Sequence, residues 1–415
     1  MKITARATLE SAAKRLLSRA WIAIDRFAFT PASAAPLAVL RIGLGVVLLA
    51  QALVVAPALF DLAGDTGILQ GPIREAIAEK DLPSVDWLVR AFSRLGVGEA
   101  PVLVGTGLLY VMALLALIAG LRTRTAAAIT WLTHLLLSTT ADRALYGVDE
   151  FANVFLFYLI WMPSGATLSL DRRLGRAPAD PSPTARLALR VVQIHLCMAY
   201  LIGGVEKALD HPWWTGEAMW RALTLPEFWQ FDFSWLANHP WMAKVAGWTV
   251  LLVETGYSIF IWPRLTRRAW IVATVALHLG IAVFMGLHFF GAIMVVFTVA
   301  AFGVPAEPEP SLAAGEPPID SSWIRARRWT LRLLALLGAI ALVGEVLGMI
   351  NAAPGDRSTV LVEDLIAVEE PAPTSEPAAP AAPAPAAASA EPGSPPDTLP
   401  PPGLPASPPL PDSGP

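Results

Sequence analysis

The chain has 415 residues, of which 55% are hydrophobic and only 15% are charged, and its mean hydropathy is +0.54. Soluble domains carry about 25% charged residues, so this composition indicates an all-α integral membrane protein. The formal net charge of −4 is small and indicates no particular binding partner. The basic residues cluster in loops rather than on one helix face, so nothing supports binding to nucleic acid. The single cysteine, Cys197, excludes an intramolecular disulfide, and the sequence suggests no metal site.

A basic, amphipathic leader occupies residues 1–30, ahead of the first apolar run. A cleavable signal peptide normally carries only a short basic region before its apolar core. We therefore expect the first apolar run to be retained as a membrane span.

Apolar runs of about 20 residues predict membrane-spanning helices. Eight runs lie in the main body, at residues 36–58, 101–120, 125–141, 149–163, 187–206, 243–262, 268–287 and 288–303. Two of them are short, and 268–303 can be divided differently around Gly286-Leu287-His288. A ninth run at 330–350 follows a polar linker at 304–329, so the sequence predicts eight to nine spans.

Lysine and arginine collect in alternate loops, which by the positive-inside rule are the cytoplasmic ones. The protein is then predicted to lie in the inner (plasma) membrane, with its N-terminus in the cytoplasm. The Pro/Ala-rich tail at 354–415 lies outside in this topology. Its composition cannot form a core, which predicts a disordered and partly polyproline II segment.

Two predicted outer segments are long. Residues 59–100 contain two amphipathic stretches, 72–79 and 85–92, which we expect to form interfacial helices. Residues 207–242 hold a group of tryptophans that predicts a helical cap in the headgroup region: Trp213, Trp214, Trp220, Trp229, Trp235 and Trp241. The alternative for this second segment is a simple aromatic belt.

Ionisable residues at membrane depth are costly, so they are functional candidates. Lys207 directly follows the fifth run, and helical spacing places Tyr200 and either Gly203 or Gly204 on its face. Glu254 and His278 lie near the middle of the sixth and seventh runs, so three ionisable groups on consecutive helices could converge. The alternatives are that Lys207 only anchors the interface and that the other two residues only hold the helices together.

Short motifs follow one another along residues 30–303. They are PLAVLRIGLG at 36–45, GDTGI at 64–68, GLRTR at 120–124, YGVD at 146–149, SLD at 169–171, GGVEK at 203–207 and WWTG at 213–216, followed by Glu254 and His278. In this order they resemble the HTTM family, the membrane domain shared with vitamin K-dependent gamma-glutamyl carboxylase. The resemblance implies an HTTM-like transmembrane domain at residues 31–303.

In the carboxylase, the lysine that Lys207 matches deprotonates reduced vitamin K. The oxygenated quinone then removes a glutamate γ-proton, and carbon dioxide adds. The resemblance implies catalytic roles for three residues, Lys207, His278 and Glu254. It also implies a site for reduced vitamin K or a related quinone at four others: Tyr200, Gly203, Gly204 and Trp214. The partners would be the lipid bilayer and a secreted or membrane protein substrate.

The chain departs from the carboxylase in two places. Gly147-Val148-Asp149 stands where the carboxylase carries an Asn-His pair, and no large protein-substrate domain follows residue 303. The first functional hypothesis is therefore carboxylase-like base chemistry at Lys207 on a lipid-soluble, quinone-like cofactor or substrate. The alternative is a non-catalytic maturation, immunity or scaffold protein for a secreted or membrane partner. A small-solute transporter is less favoured because the sequence shows no repeated halves.

Overall fold

The computed structural model describes residues 18–68, 82–141 and 146–306, which are helical except for turns and one isolated bridge. Residues 18–29 are helical and precede thirteen α-helices within the described ranges. These are α1 (Ala35–Val55), α2 (Leu59–Ala63), α3 (Val85–Ser93), α4 (Glu99–Ala119), α5 (Thr123–Thr140), α6 (Gly147–Trp161), α7 (Leu170–Arg173), α8 (Pro183–Leu209), α9 (His211–Thr215), α10 (Glu217–Thr224), α11 (Pro240–Phe260), α12 (Arg264–Phe284) and α13 (His288–Thr298). Three 3₁₀ turns (Ala56–Ala58, Pro226–Phe228 and Ser234–Asn238) and a π-helical end (Val299–Gly303) complete the set.

The eight predicted apolar runs of the main body coincide with α1, α4, α5, α6, α8, α11, α12 and α13. Four described stretches are long and apolar enough to cross a membrane by themselves: Ala35–Ala63, Glu99–Ala119, Pro183–Leu209 and Arg264–Phe284. The prediction of a multi-pass all-α membrane protein is confirmed at this level, while the count of eight to nine spans stays a prediction. The division near residue 286 is now clear, because α12 ends at Phe284 and Gly286 turns the chain with φ +71°.

Some predicted elements fall outside the described residues. They are the amphipathic stretch 72–79, the ninth run at 330–350 and the tail at 354–415. The other amphipathic stretch, 85–92, is helix α3 (Val85–Ser93).

A buried arginine of α1 joins the C-terminal end of α4 to the segment around Leu168. The Arg41 side chain is fully buried, and its guanidinium donates hydrogen bonds to the carbonyls of Leu117 (2.5 Å), Ile118 (3.0 Å) and Leu168 (2.6 Å). Backbone carbonyls at a helix end lack intrahelical donors. Arg41 supplies donors to the end of α4, which explains why an arginine is tolerated within the first apolar run.

The first turn of α5 is capped by a carboxylate from another helix. Asp171 accepts hydrogen bonds from the Arg122 amide (2.9 Å), the Thr123 amide (2.8 Å) and the Thr123 hydroxyl (2.7 Å). Burial raises the pKa of Asp171, but the hydrogen bonds from Thr123 and Arg122 outweigh it, so the pKa lies below its ordinary value. Asp171 therefore connects α7 to α5.

The segment 207–242, which we call the cap, packs against the turn between α12 and α13. The side chain of Gln230 packs against Gly286, because its amide nitrogen would be only 2.6 Å from a Cβ atom added at that glycine. The rings of Phe231 and Phe233 contact Phe284 at the end of α12, with centroids 6.1 and 5.8 Å apart. The cap thus covers the same end of α8, α11 and α12.

Helices α8 and α11 approach closely at Gly204. A Cβ atom at Gly204 would stand 2.8 Å from the backbone nitrogen of Thr255. Four residues earlier, Tyr200 stacks on Tyr257 with ring centroids 4.1 Å apart. Small residues at such crossings let two backbones come together in a membrane. This contact fixes the position of Tyr200, Gly203 and Lys207 on the adjacent face of α8.

Candidate functional site

A cavity of about 820 Å³ lies between α8, α11, α12 and α13, beneath the cap. This volume is within the range of small-molecule sites, roughly 300–1,000 Å³. Its walls are mostly apolar or aromatic, with Trp213 and Leu236 from the cap and Phe290 and Met294 from α13. The cavity therefore suits a largely apolar ligand.

One ion pair lies on the wall of this cavity. The Lys207 ammonium is 2.9 Å from a Glu254 carboxylate oxygen, and the two side chains are 29% and 12% exposed. The same nitrogen lies 3.4 Å from the Gly203 carbonyl and 5.5 Å from the Trp213 ring centre. Lys207 is thus directed towards α11 and the cavity rather than towards the interface.

A second polar pair lies beside the first. The Tyr200 hydroxyl is 2.7 Å from Nε2 of His278, and both side chains are buried. The His278 ring meets Phe290 edge-on, with centroids 5.6 Å apart. Its Nδ1 atom has no hydrogen-bond partner among the described residues. A buried nitrogen of this kind is costly unless a ligand or a water molecule satisfies it.

Five of the seven residues proposed from the sequence line the cavity: Tyr200, Gly203, Lys207, Glu254 and His278. The three ionisable groups do converge, but as two pairs, because Glu254 contacts Lys207 and His278 contacts Tyr200. Glu254 and His278 thus have different partners in the described part of the chain.

The other two proposed residues lie elsewhere. Gly204 faces the backbone of α11 at Thr255, so it is a packing position. Trp214 is 47% exposed, and its indole nitrogen donates to the carbonyl of Ala208 at 2.7 Å. Its neighbour Trp213 lines the cavity instead. The sequence could not distinguish the two tryptophans, because the chain leaves the α8 helix at Asp210 and its helical phase is lost there.

A separate polar cluster lies between α1, α4, α5 and α6. The Tyr110 hydroxyl is 3.0 Å from His134 Nδ1, and His134 Nε2 is 3.9 Å from a carboxylate oxygen of Asp149. The Gln51 amide donates to the same oxygen at 3.0 Å. None of these four residues lines the cavity. The cluster joins four helices and takes no part in the site.

A family model described as HTTM domain matches residues 29–304. The chain belongs to the HTTM family. The match covers more than half of the 415 residues, so it confirms the resemblance to the HTTM family that the motifs indicated. All the residues that line the cavity lie within the matched range. No curated protein and no solved structure matches the chain. The cavity and its two polar pairs therefore lie within the HTTM domain of this chain.

Proposed function

We propose that this HTTM protein binds a lipid-soluble, quinone-like ligand in the cavity beneath the cap and that Lys207 acts as a base there. The observation that carries the proposal is the placement of Lys207, Glu254, Tyr200 and His278 on one wall of an otherwise apolar cavity. An apolar pocket with a few convergent polar groups is the usual form of a ligand site.

The residues present fit a quinone-like group. Its flat ring would find aromatic neighbours in Trp213 and Phe290, and aromatic pairs add to the stabilisation from buried area. Its oxygens would lie beside the Lys207 side-chain nitrogen, and the Tyr200 hydroxyl can donate to them when the Nε2–H of His278 donates to that hydroxyl. The unpartnered Nδ1 of His278 offers one more polar contact. The site therefore supplies both the apolar surface and the hydrogen-bonding groups that such a ring needs.

The proton chemistry rests on the Lys207–Glu254 pair. When bound, a reduced quinone supplies a phenolic hydroxyl group as the proton donor. Lys207 must be a neutral amine to accept that proton. Glu254, at 2.9 Å, stabilises the ammonium formed when Lys207 gains the proton. Glu254 thus favours the product side of the transfer.

A second candidate function follows from the outer surface of the cap. Trp229 and Trp241 are 61% and 62% exposed, and Phe231 is 49% exposed. Exposed aromatic residues are typical of membrane interfaces and of protein contacts. This surface favours the alternative of a non-catalytic maturation, immunity or scaffold protein that holds a secreted or membrane partner.

We propose that the eight helices that coincide with the predicted apolar runs all cross the membrane, with the N-terminus in the cytoplasm and the cap outside. This orientation is supported by the segment before α1 and the starts of α8 and α12, which carry arginines and lie close to one another. Arg190, near the start of α8, lies 4.0 Å from the ring centre of Phe27 and 5.5 Å from that of Trp262, before α12. The arginines of these segments are then cytoplasmic, as the positive-inside rule requires. The run at 330–350 would be a ninth span, and the tail at 354–415 would lie outside the plasma membrane.

Mass spectrometry of lipids that co-purify with the protein tests the ligand. The wild type is compared with Leu277→Trp, which fills the cavity, and with Leu279→Trp, which changes an exposed side chain of the same helix. We expect a quinone with the wild type and with Leu279→Trp, and little or none with Leu277→Trp. A wild-type protein with no quinone, or equal amounts in all three, would contradict the proposal.

A further inference from the structure

Three arginines come together where the starts of α8 and α12 lie beside the helix at residues 18–29. Arg186 and Arg190 stand one helical turn apart on α8, and Arg267 belongs to the first turn of α12. Both Arg186 and Arg267 lie close enough to Arg190 for their charges to act on it. An anion bound among these side chains would therefore be stabilised by their combined charge, and it would relieve their mutual repulsion.

Neutral groups hold two of the guanidinium groups in place. Arg190 donates from Nε to the Phe27 carbonyl at 3.1 Å and from Nη1 to Gln193 Oε1 at 2.6 Å. Arg267 donates from Nη2 to the Trp262 carbonyl at 2.6 Å. No carboxylate of the described residues forms a salt bridge with Arg190 or Arg267. The Nη2 atom of Arg190 and the Nη1 atom of Arg267 make no hydrogen bond within the described ranges, so each side chain keeps one terminal group for another acceptor.

Two aromatic rings pack beneath this arginine cluster. The guanidinium carbon of Arg190 lies 4.0 Å from the ring centre of Phe27 and 5.5 Å from that of Trp262. The two rings contact each other, with centroids 5.7 Å apart. Arg190 and Arg267 are both half-buried. A half-buried cation that is already held by neighbours loses less side-chain entropy on binding, and its charge is less screened than that of an exposed arginine.

Exposed apolar side chains surround the arginine cluster. Leu265, two residues before Arg267, is 93% exposed, and Ile22 and Ile24 are exposed on the helix at residues 18–29. Exposed apolar residues beside basic ones are typical of segments that lie at the surface of a bilayer. A soluble phosphate would gain nothing from these residues, whereas the acyl chains of a lipid would contact them. The surroundings therefore favour a lipid headgroup over a free anion.

We propose that the arginine cluster binds the phosphate headgroup of an anionic phospholipid, which in the proposed orientation belongs to the cytoplasmic leaflet. Phosphate oxygens accept charge-assisted hydrogen bonds from the guanidinium groups of Arg190 and Arg267, and Arg186 adds positive charge nearby. A zwitterionic lipid is bound less well, because its own ammonium compensates the phosphate. Arg190 is 17 residues before Lys207 on α8, about 25 Å along the helix, and none of the three arginines lines the cavity beneath the cap. The lipid site is thus separate from the cavity and does not depend on its ligand.

The test follows the melting temperature of the full-length protein in detergent as three probes are added separately. The probes are phosphatidylglycerol, phosphatidylcholine with the same acyl chains, and inorganic phosphate. We expect only phosphatidylglycerol to raise the melting temperature of the wild type. Arg267→Gln should need about tenfold more of this lipid for half of the effect, since it loses one charge-assisted contact. Arg190→Gln should respond in the same way, each variant being compared with its own lipid-free value, which guards against one variant that fails to fold. Arg173→Gln is the matched control, because it removes an exposed arginine of α7, and it should respond like the wild type.

Three results would overturn the lipid site. Equal stabilisation by phosphatidylglycerol and phosphatidylcholine would show that only the apolar surface binds lipid, without a headgroup contact. Stabilisation by inorganic phosphate at the same concentration would show a site for a soluble anion. An Arg173→Gln variant that loses the response as strongly as Arg267→Gln and Arg190→Gln would show a diffuse effect of surface charge.

Discussion

The adjacent glycines of α8 should respond in opposite ways to the same substitution. A Cβ atom at Gly204 would stand 2.8 Å from the Thr255 nitrogen and 3.1 Å from the Glu254 carbonyl carbon, which are backbone atoms that cannot move aside. A Cβ atom at Gly203 would stand 3.4 Å from the Lys207 amine and 3.7 Å from a Glu254 oxygen. These are flexible ends of side chains at the cavity.

The magnitudes follow from two terms. Replacing glycine by alanine within a helix gains about 1 kcal/mol of helix propensity. Overpacking a tight contact costs roughly 1–3 kcal/mol, and the upper part of that range applies where backbone is met. We therefore expect Gly204→Ala to lower the free energy of unfolding by about 1–2 kcal/mol. Gly203→Ala should leave it unchanged or raise it by up to about 1 kcal/mol.

Equilibrium unfolding in mixed detergent micelles, with helicity as the readout, measures both variants against the wild type. Gly203→Ala should also keep the ligand site nearly intact, because the added methyl group is in ordinary contact distance of Lys207. Equal losses of stability in the two variants would refute the assignment of Gly204 to the helix contact and Gly203 to the cavity. So would a loss confined to Gly203→Ala.

Three further predictions concern the topology, the tail and the contact of Asp171 with the start of α5. Single cysteines in an otherwise cysteine-free protein should be labelled from outside at Gln230 and from inside at Thr266, and the reverse pattern would contradict the orientation. Truncation after Asn351 should leave the melting temperature in detergent nearly unchanged, and a fall of many degrees would show that the tail packs on the domain. Asp171→Asn should lower the free energy of unfolding at neutral pH by about 1–2 kcal/mol, because charge-assisted hydrogen bonds to the start of α5 are weakened. Since the folded pKa of Asp171 is lowered, its contribution is present above the ordinary value of 3.8 and is lost as pH falls through the folded pKa, so the difference from wild type should vanish in acid.

The membrane class and the helix order could be predicted because apolar runs report directly on burial in lipid. The sequence was less informative about how the helix ends are held, because this depends on polar contacts between segments that are distant in the chain. Arg41 is an example, because nothing in the first run shows that its guanidinium reaches carbonyls of α4 and Leu168. Its tolerance within a membrane depends on those partners.

The site residues on α8 could be predicted, because their spacing in the sequence shows which of them share one face of a helix. Tyr200, Gly203 and Lys207 repeat at spacings of three and four, so one face of α8 contains all three. Their partners across the bundle could not be assigned, because Glu254 and His278 each had several possible contacts at similar depth. The apolar residues of the cavity wall were missed for a different reason. Apolar side chains such as Leu236 and Met294 have the same pattern whether they line a cavity or fill a core.

The central claim is that Lys207 is a base in a ligand cavity, and one comparison of variants tests it most directly. Arginine keeps the positive charge of lysine but cannot give up its proton near neutral pH. The measurement is the oxygen-dependent consumption of reduced vitamin K by the purified protein in nanodiscs, followed by mass spectrometry. We predict that Lys207→Arg and Lys207→Ala lose the reaction equally, by about a hundredfold or more, while both still bind the oxidised quinone. Wild-type rates in Lys207→Arg would contradict the base and leave Lys207 as an interfacial anchor.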